Sequence, residues 1–153
     1  MSTSITINRR RMGIGEAKDI ENAYCGDEFD FITAVPMHKK DLKKRGYNQS
    51  ALLAKELGKR LDLPYRETID KIKQTKKQHN LKYNERKTNL NGAFKVIDKD
   101  AVKGKRILII DDIITSGYTL GNCCKVLSRA KPALICCATI ASAQNKYPES
   151  TVI

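Results

Sequence analysis

The chain reads as an α/β domain built on a mainly parallel central sheet with helices on its faces. Three observations carry that reading. The run Ile107–Ile110 is apolar without alternation, which suits an interior strand covered on both sides. Short apolar runs alternate along the chain with segments of helical spacing. The length, 153 residues with 41% hydrophobic content, is enough for one real core.

The elements follow in order. Met1–Arg11 reads as poorly ordered, and Glu16–Cys25 carries a weak helical pattern through Ala17, Ile20 and Tyr24. Phe31–Val35, stopped by Pro36, reads as the first strand, and Met37–Gly46 as a basic loop. Ser50 is placed to cap a helix running to about Leu61, with Leu53, Ala54, Leu57 and Leu61 on one face and Pro64 beyond its end. A short strand is expected within Tyr65–Ile72. Lys73–Asn91 lacks any apolar period and reads as a long loop. Gly92–Ile97 reads as a strand, Asp98–Lys105 as a turn, Leu120–Ala130 as a helix and Ala133–Ala141 as the last strand. The expected organisation is an N-terminal segment over 1–28, the α/β domain over 29–143 and a frayed tail over 144–153.

Composition limits the function classes. No apolar run approaches the roughly 18 residues that span a bilayer, and Met1–Arg11 has no signal-peptide core, so a cytoplasmic location is expected. The formal charge of +12 suits anionic partners. The basic residues crowd Lys39–Arg45 and Arg66–Lys87. Cys25, Cys123, Cys124, Cys136 and Cys137 show no C-x-x-C spacing, and the last four fall in a helix and a strand. They read as small buried hydrophobes.

The chemistry concentrates after Ile110. Asp111 and Asp112 arrive where the strand ends, followed by Thr115, Ser116, Gly117 and Thr119 ahead of a helix. Small residues at a helix N-terminus offer N–H groups and hydroxyls to a phosphate. Paired carboxylates hold ribose hydroxyls directly or through a divalent cation. In open parallel sheets ligands bind at the carboxyl ends of the strands, which puts the loops after Val35 and Ile110 on one edge.

Ile107–Thr119, reading ILIIDDIITSGYT, resembles the phosphoribosyl pyrophosphate (PRPP) signature of type I phosphoribosyltransferases at every position. Three further pieces accompany it: Ala34–His38, Lys44–Gln49, and a third from Thr75 through Gln78, Leu81, Glu85 and Arg86 to Phe94. Together they resemble the ComF/GntX family, phosphoribosyltransferase-like proteins associated with DNA uptake in natural transformation. The likeness runs from about Phe31 to Ala141. It implies the type I phosphoribosyltransferase fold, with Asp111, Asp112, Ile113, Thr115, Ser116, Gly117, Tyr118 and Thr119 on PRPP. It also implies a pyrophosphate loop of Val35, Pro36, Met37 and His38 with Arg45, Asn48 and Gln49, and a flexible loop carrying Lys76, Lys77, Gln78 and Arg86. Asp111, Asp112 and Arg86 are the catalytic candidates, and Mg²⁺ at Asp111 and Asp112 is the implied cofactor. The family usually begins with a four-cysteine zinc module. No such cysteines occur here, so no zinc is expected.

Plainer readings stand beside these. His38 is either an ordinary loop histidine or a ligand contact. Asn48 and Gln49 either touch ligand or cap the next helix. Tyr47 either packs on the sheet edge or stacks on a base. No nucleobase-reading segment is recognisable, so the acceptor of any phosphoribosyl transfer, with release of pyrophosphate, stays unidentified. The rival reading is a non-catalytic module that handles single-stranded DNA through its basic segments. A homodimer is compatible with either.

Overall fold

The computed structural model describes residues 5–10, 29–75, 91–112 and 118–140. Strands β1 (Ile5–Arg10), β2 (Phe31–Ala34), β5 (Arg106–Asp111) and β6 (Leu134–Ile140) form one sheet in the order β1-β6-β5-β2. The pairs β2–β5 and β5–β6 are parallel, and β1–β6 is antiparallel. Strands β3 (Ile69–Lys71) and β4 (Phe94–Val96) make a separate antiparallel pair. The helices are α1 (Lys39–Arg45), α2 (Gln49–Leu61), α3 (Lys99–Val102) and α4 (Tyr118–Ser128). The mainly parallel α/β architecture is as expected.

Strand β5 lacks alternation because both of its faces are covered. Ile107 and Ile109 join Phe31, Cys123, Leu127 and Ile135 in the core beneath α4 and the β3–β4 pair. Leu108 and Ile110 join Ile32, Ala54, Leu63 and Cys136 in a second core beneath α2. The starts of β2 and β5 are tied together: Asp30 Oδ2 accepts from the Arg106 backbone N–H at 2.7 Å, and the Asp30 N–H donates to the Arg106 carbonyl at 2.8 Å. Among the described residues every buried side-chain nitrogen and oxygen has a hydrogen-bond partner. The buried Thr33 and Thr68 hydroxyls bond each other at 3.0 Å.

Helix α2 shows the apolar face that its spacing predicts, with Leu53, Leu57 and Leu61 packed partly buried around Ala54. At the face's centre Gly58 lets the helix close on the sheet. A Cβ there would lie 2.7 Å from the Leu63 carbonyl oxygen and 3.0 Å from Ile32 Cγ2.

Three local expectations are corrected. Residues 5–10, read as poorly ordered, form β1. Their β-branched run ITI pairs in register with β6, Ile5 against Ile140 through Arg10 against Ile135, along an edge that would otherwise be open. The "basic loop" contains helix α1. His38 Nδ1 accepts from the Lys40 N–H at its start, and Gly46, at φ +87°, closes it by donating to the Leu42 carbonyl. No residue of α1 is buried, so it has no apolar stripe to read. Lastly, α2 is capped by Asn48 rather than Ser50.

Ala ordinarily stabilises a helix interior relative to Gly. At position 58 the order reverses, because the Cβ meets backbone. Gly58→Ala is expected to lower stability by about 1–3 kcal/mol, measured by urea denaturation. Equal or greater stability would show that α2 can shift off the sheet.

Candidate functional site

The parallel pairing of β2 with β5 brings their carboxyl ends side by side. The Val35 N–H donates to the Ile110 carbonyl at 2.9 Å, so the chain leaves β2 directly beside the acids that end β5. A cavity of about 650 Å³ opens there. Val35, Pro36, Met37, Arg45, Asn48 and Gln49 line it from the expected pyrophosphate loop, and Asp111 and Asp112 from the signature. His38 is not among the lining residues; it serves as the N-cap of α1. Ile113, Thr115, Ser116 and Gly117, and Lys76, Lys77, Gln78 and Arg86, lie outside the described residues, as does the Tyr118 side chain. Thr119, half-buried, sits in the first turn of α4.

Four lining residues were not among the site residues expected from the sequence: Asp41, Lys44, Ser50 and Lys71. Ser50 is the most consequential. Its hydroxyl donates to Asp111 Oδ1 at 3.3 Å, with Asp112 Oδ1 at 3.5 Å, and accepts from the Asp112 N–H at 3.1 Å. Reading it as a helix cap assigned its side chain to the backbone. Asn48 takes that role, which leaves Ser50 for the acids. Lys71 comes from β3. Burial pulls its ammonium below the usual lysine range, while Asp41 and Cys123 pull the other way. Nothing in its basic surroundings in the sequence marks it as the inward-facing lysine.

The site carries charges of both signs. Arg45, Lys44 and Lys71 supply cations, and Asp111 and Asp112 carboxylates, around one cavity. Arg45 also lies 5.4 Å from the Tyr47 ring centre. Tyr47 is 44% exposed, so it does not pack away on the sheet edge. Cys123, Cys124, Cys136 and Cys137 are buried in the two cores, as their sequence surroundings suggest, with the Cys124 and Cys137 sulfurs 3.3 Å apart. Burial, with smaller contributions from Cys124 and Asp111, pushes the Cys123 thiol well up.

Asp111 is 8% exposed. Its pKa is pushed from 3.8 to about 7, first by burial and then by the neighbouring Asp112 carboxylate. The Asp112 backbone N–H and the Ser50 hydroxyl pull it back.

That shift has a consequence for folding. Unfolded, Asp111 loses its proton near 3.8; folded, it keeps it to about 7. Between those values the folded state holds the extra proton, so stability falls as pH rises through that window. Below it the penalty is absent, and above it the penalty is complete. Asp111→Asn is therefore expected to flatten the decline and to be more stable than wild type at pH 8, by a margin on the order of a few kcal/mol. Urea unfolding from pH 4 to pH 8 measures it, and parallel curves for the two proteins would refute it.

Residues 47–152 match the family described as phosphoribosyl transferase domain. Competence protein F of Haemophilus influenzae is 36% identical over 100 residues, which is 64% of this chain and 44% of that protein. DNA utilization protein YhgH of Salmonella typhimurium is 34% identical, and that of Escherichia coli K12 33%, each over 107 residues, 69% of this chain and 46% of the relative. The chain thus spans somewhat under half the length of these curated relatives. A solved structure titled as the allosteric regulatory enzyme of purine biosynthesis superposes on 73% of this chain and 22% of its own, with a TM-score of 0.51 at 18% identity, which is a likeness of fold. The matched domain and the shared parallel sheet agree: this chain belongs to the phosphoribosyl transferase domain family.

Proposed function

We propose that the domain is a ComF-type phosphoribosyltransferase-fold module that binds PRPP, or a related nucleotide phosphate, together with Mg²⁺. One observation carries this reading. Paired carboxylates at the end of a central parallel strand share a cavity with the loop after β2 and with Arg45, Lys44 and Lys71. A ligand that carries both hydroxyls and a diphosphate matches that mix of carboxylates and cations.

Asp111 and Asp112 present oxygen donors only, the set that suits a hard cation completed by water and phosphate oxygens. Bound there, Mg²⁺ would screen the negative charge of a diphosphate. The carboxylates would accept from ribose hydroxyls, the cations would hold the diphosphate, and the exit of β2 beside Ile110 would set the distance between them. Transfer of phosphoribose to an acceptor, with release of pyrophosphate, is the reaction that such an arrangement serves.

The test is calorimetric titration with Mg-PRPP. Asp111→Asn with Asp112→Asn is expected to weaken binding by about tenfold or more, since amides accept more weakly from hydroxyls and hold no cation. Unchanged affinity in a folded variant rejects the site.

A second reading has its own observation. Helix α1 exposes Lys39, Lys40, Lys43, Lys44 and Arg45 and buries none of its residues, which suits handling of single-stranded DNA. Lys39, Lys40 and Lys43 are not among the cavity-lining residues. If each meets one phosphate, changing all three to Ala reduces the slope of log affinity against log salt by about 2, at about 0.7 per contact on single strands. Filter binding across a salt series measures the slope, and an unchanged slope removes α1 from any DNA interface.

A further inference from the structure

Asn48 and Ser50 carry more chemistry than the helix they begin requires. An N-cap needs one acceptor, and Ser, Asp or Asn supplies it about equally. Asn48 Oδ1 meets that need by accepting from the Ser50 N–H at 3.1 Å. Its amide nitrogen then points the other way and donates to the Val35 carbonyl at 3.0 Å. Val35 is the residue at which the chain leaves β2, its own N–H bonded to Ile110. The side-chain amide accepts through its oxygen and donates through its nitrogen, so this one residue makes both bonds.

Ser50 continues the path. Its backbone N–H belongs to Asn48, and its hydroxyl, on a residue only 4% exposed, accepts from the Asp112 N–H and donates to Asp111. The inner face of α2 continues with Ala54 and Gly58, so an apolar residue at position 50 would serve packing equally. A hydroxyl is needed there for the acids rather than for the helix.

We propose that Asn48 and Ser50 act as one hydrogen-bonded clamp, running Val35–Asn48–Ser50–Asp111, that fixes the loop after β2 against the carboxylate pair. They are positioning residues. By holding the two halves of the cavity at a set distance before ligand arrives, the clamp favours ligands whose diphosphate and ribose ends have that separation. The ligand class rests on the PRPP reading above; the clamp itself is a property of the unliganded protein.

The variants are Asn48→Ser, which keeps the cap but is too short to reach Val35, Ser50→Ala, and the two combined. The first readout is ¹⁵N relaxation without ligand. In Asn48→Ser the order parameters of the Val35, Met37 and His38 amides should fall from about 0.85 toward about 0.6, with Ala54 and Leu57 in α2 unchanged. The second is Mg-PRPP affinity by calorimetry. Each single change should weaken it about fivefold or more, and the double should be no weaker than the poorer single, because one path is cut in either case. Unchanged loop order parameters, a loss in α2 equal to that in the loop, or additive losses in the double variant would each overturn the clamp. If the wild type does not bind Mg-PRPP, the ligand reading fails and the loop relaxation alone decides the clamp. If Ser50→Ala does not fold, Asn48→Ser carries both readouts.

Discussion

Strand β5 is covered on both faces, and its last residue is a carboxylic acid. The rest of the site depends on that conjunction. Parallel pairing with β2 and β6 places Ile107–Ile110 between two separate cores, so β5 has no room to slip in register. Asp111 is carried to the edge of that packing with 8% of its surface exposed. Moved one residue inward, a carboxylate would take the place of Ile110 in the apolar core with Ile32 and Ala54. Where it stands, burial raises its pKa while Ser50 and the Asp112 N–H limit the rise.

The local energetics run against stability in favour of the site. A carboxylate at neutral pH is disfavoured in this position, and a second carboxylate beside it makes matters worse. The fold tolerates the pair because it is well anchored elsewhere, by two cores and by the Asp30–Arg106 tie at the opposite end of β5. Anything that supplies positive charge at Asp111 and Asp112 removes a repulsion that the unliganded protein already contains.

How much of this was legible in the sequence follows from what each element packs against. The position of β5, its parallel neighbours and the apolar face of α2 could be read because burial leaves a periodic or continuous apolar trace. Helix α1 left none, since its lysines face solvent and only His38 and Gly46 mark its ends. Strand β1 was missed because a short edge strand draws its order from a partner more than a hundred residues away. In the site, Asp111 and Asp112 stood out as adjacent acids after an apolar run. Ser50 and Lys71 did not, because a serine near a helix start and a lysine among lysines are ordinary residues. Their roles come from tertiary placement: Ser50 two residues inside the cap, Lys71 on the strand that turns toward Asp41 and the cavity.

Lys71 shows what the fold adds to that placement. Its ammonium is half-buried with its Nζ 5.9 Å from the centre of the Phe94 ring, so both water and room to move are limited. A lysine on an exposed loop would swing and be screened by salt. On β3, where its backbone pairs with Phe94, it is a half-buried cation whose field on an anion would be screened less than at the surface. Asp41 tempers it, and Asp41 is itself held, through its Oδ1, by the Gln74 amide at 3.2 Å. Helix α1 and the segment after β3 are thereby linked beside the cavity that Asp41 lines. The exposed helix that the sequence concealed is therefore structural after all: it brings Asp41 to Lys71, and Lys44 and Arg45 to the same cavity as the acids that β5 delivers.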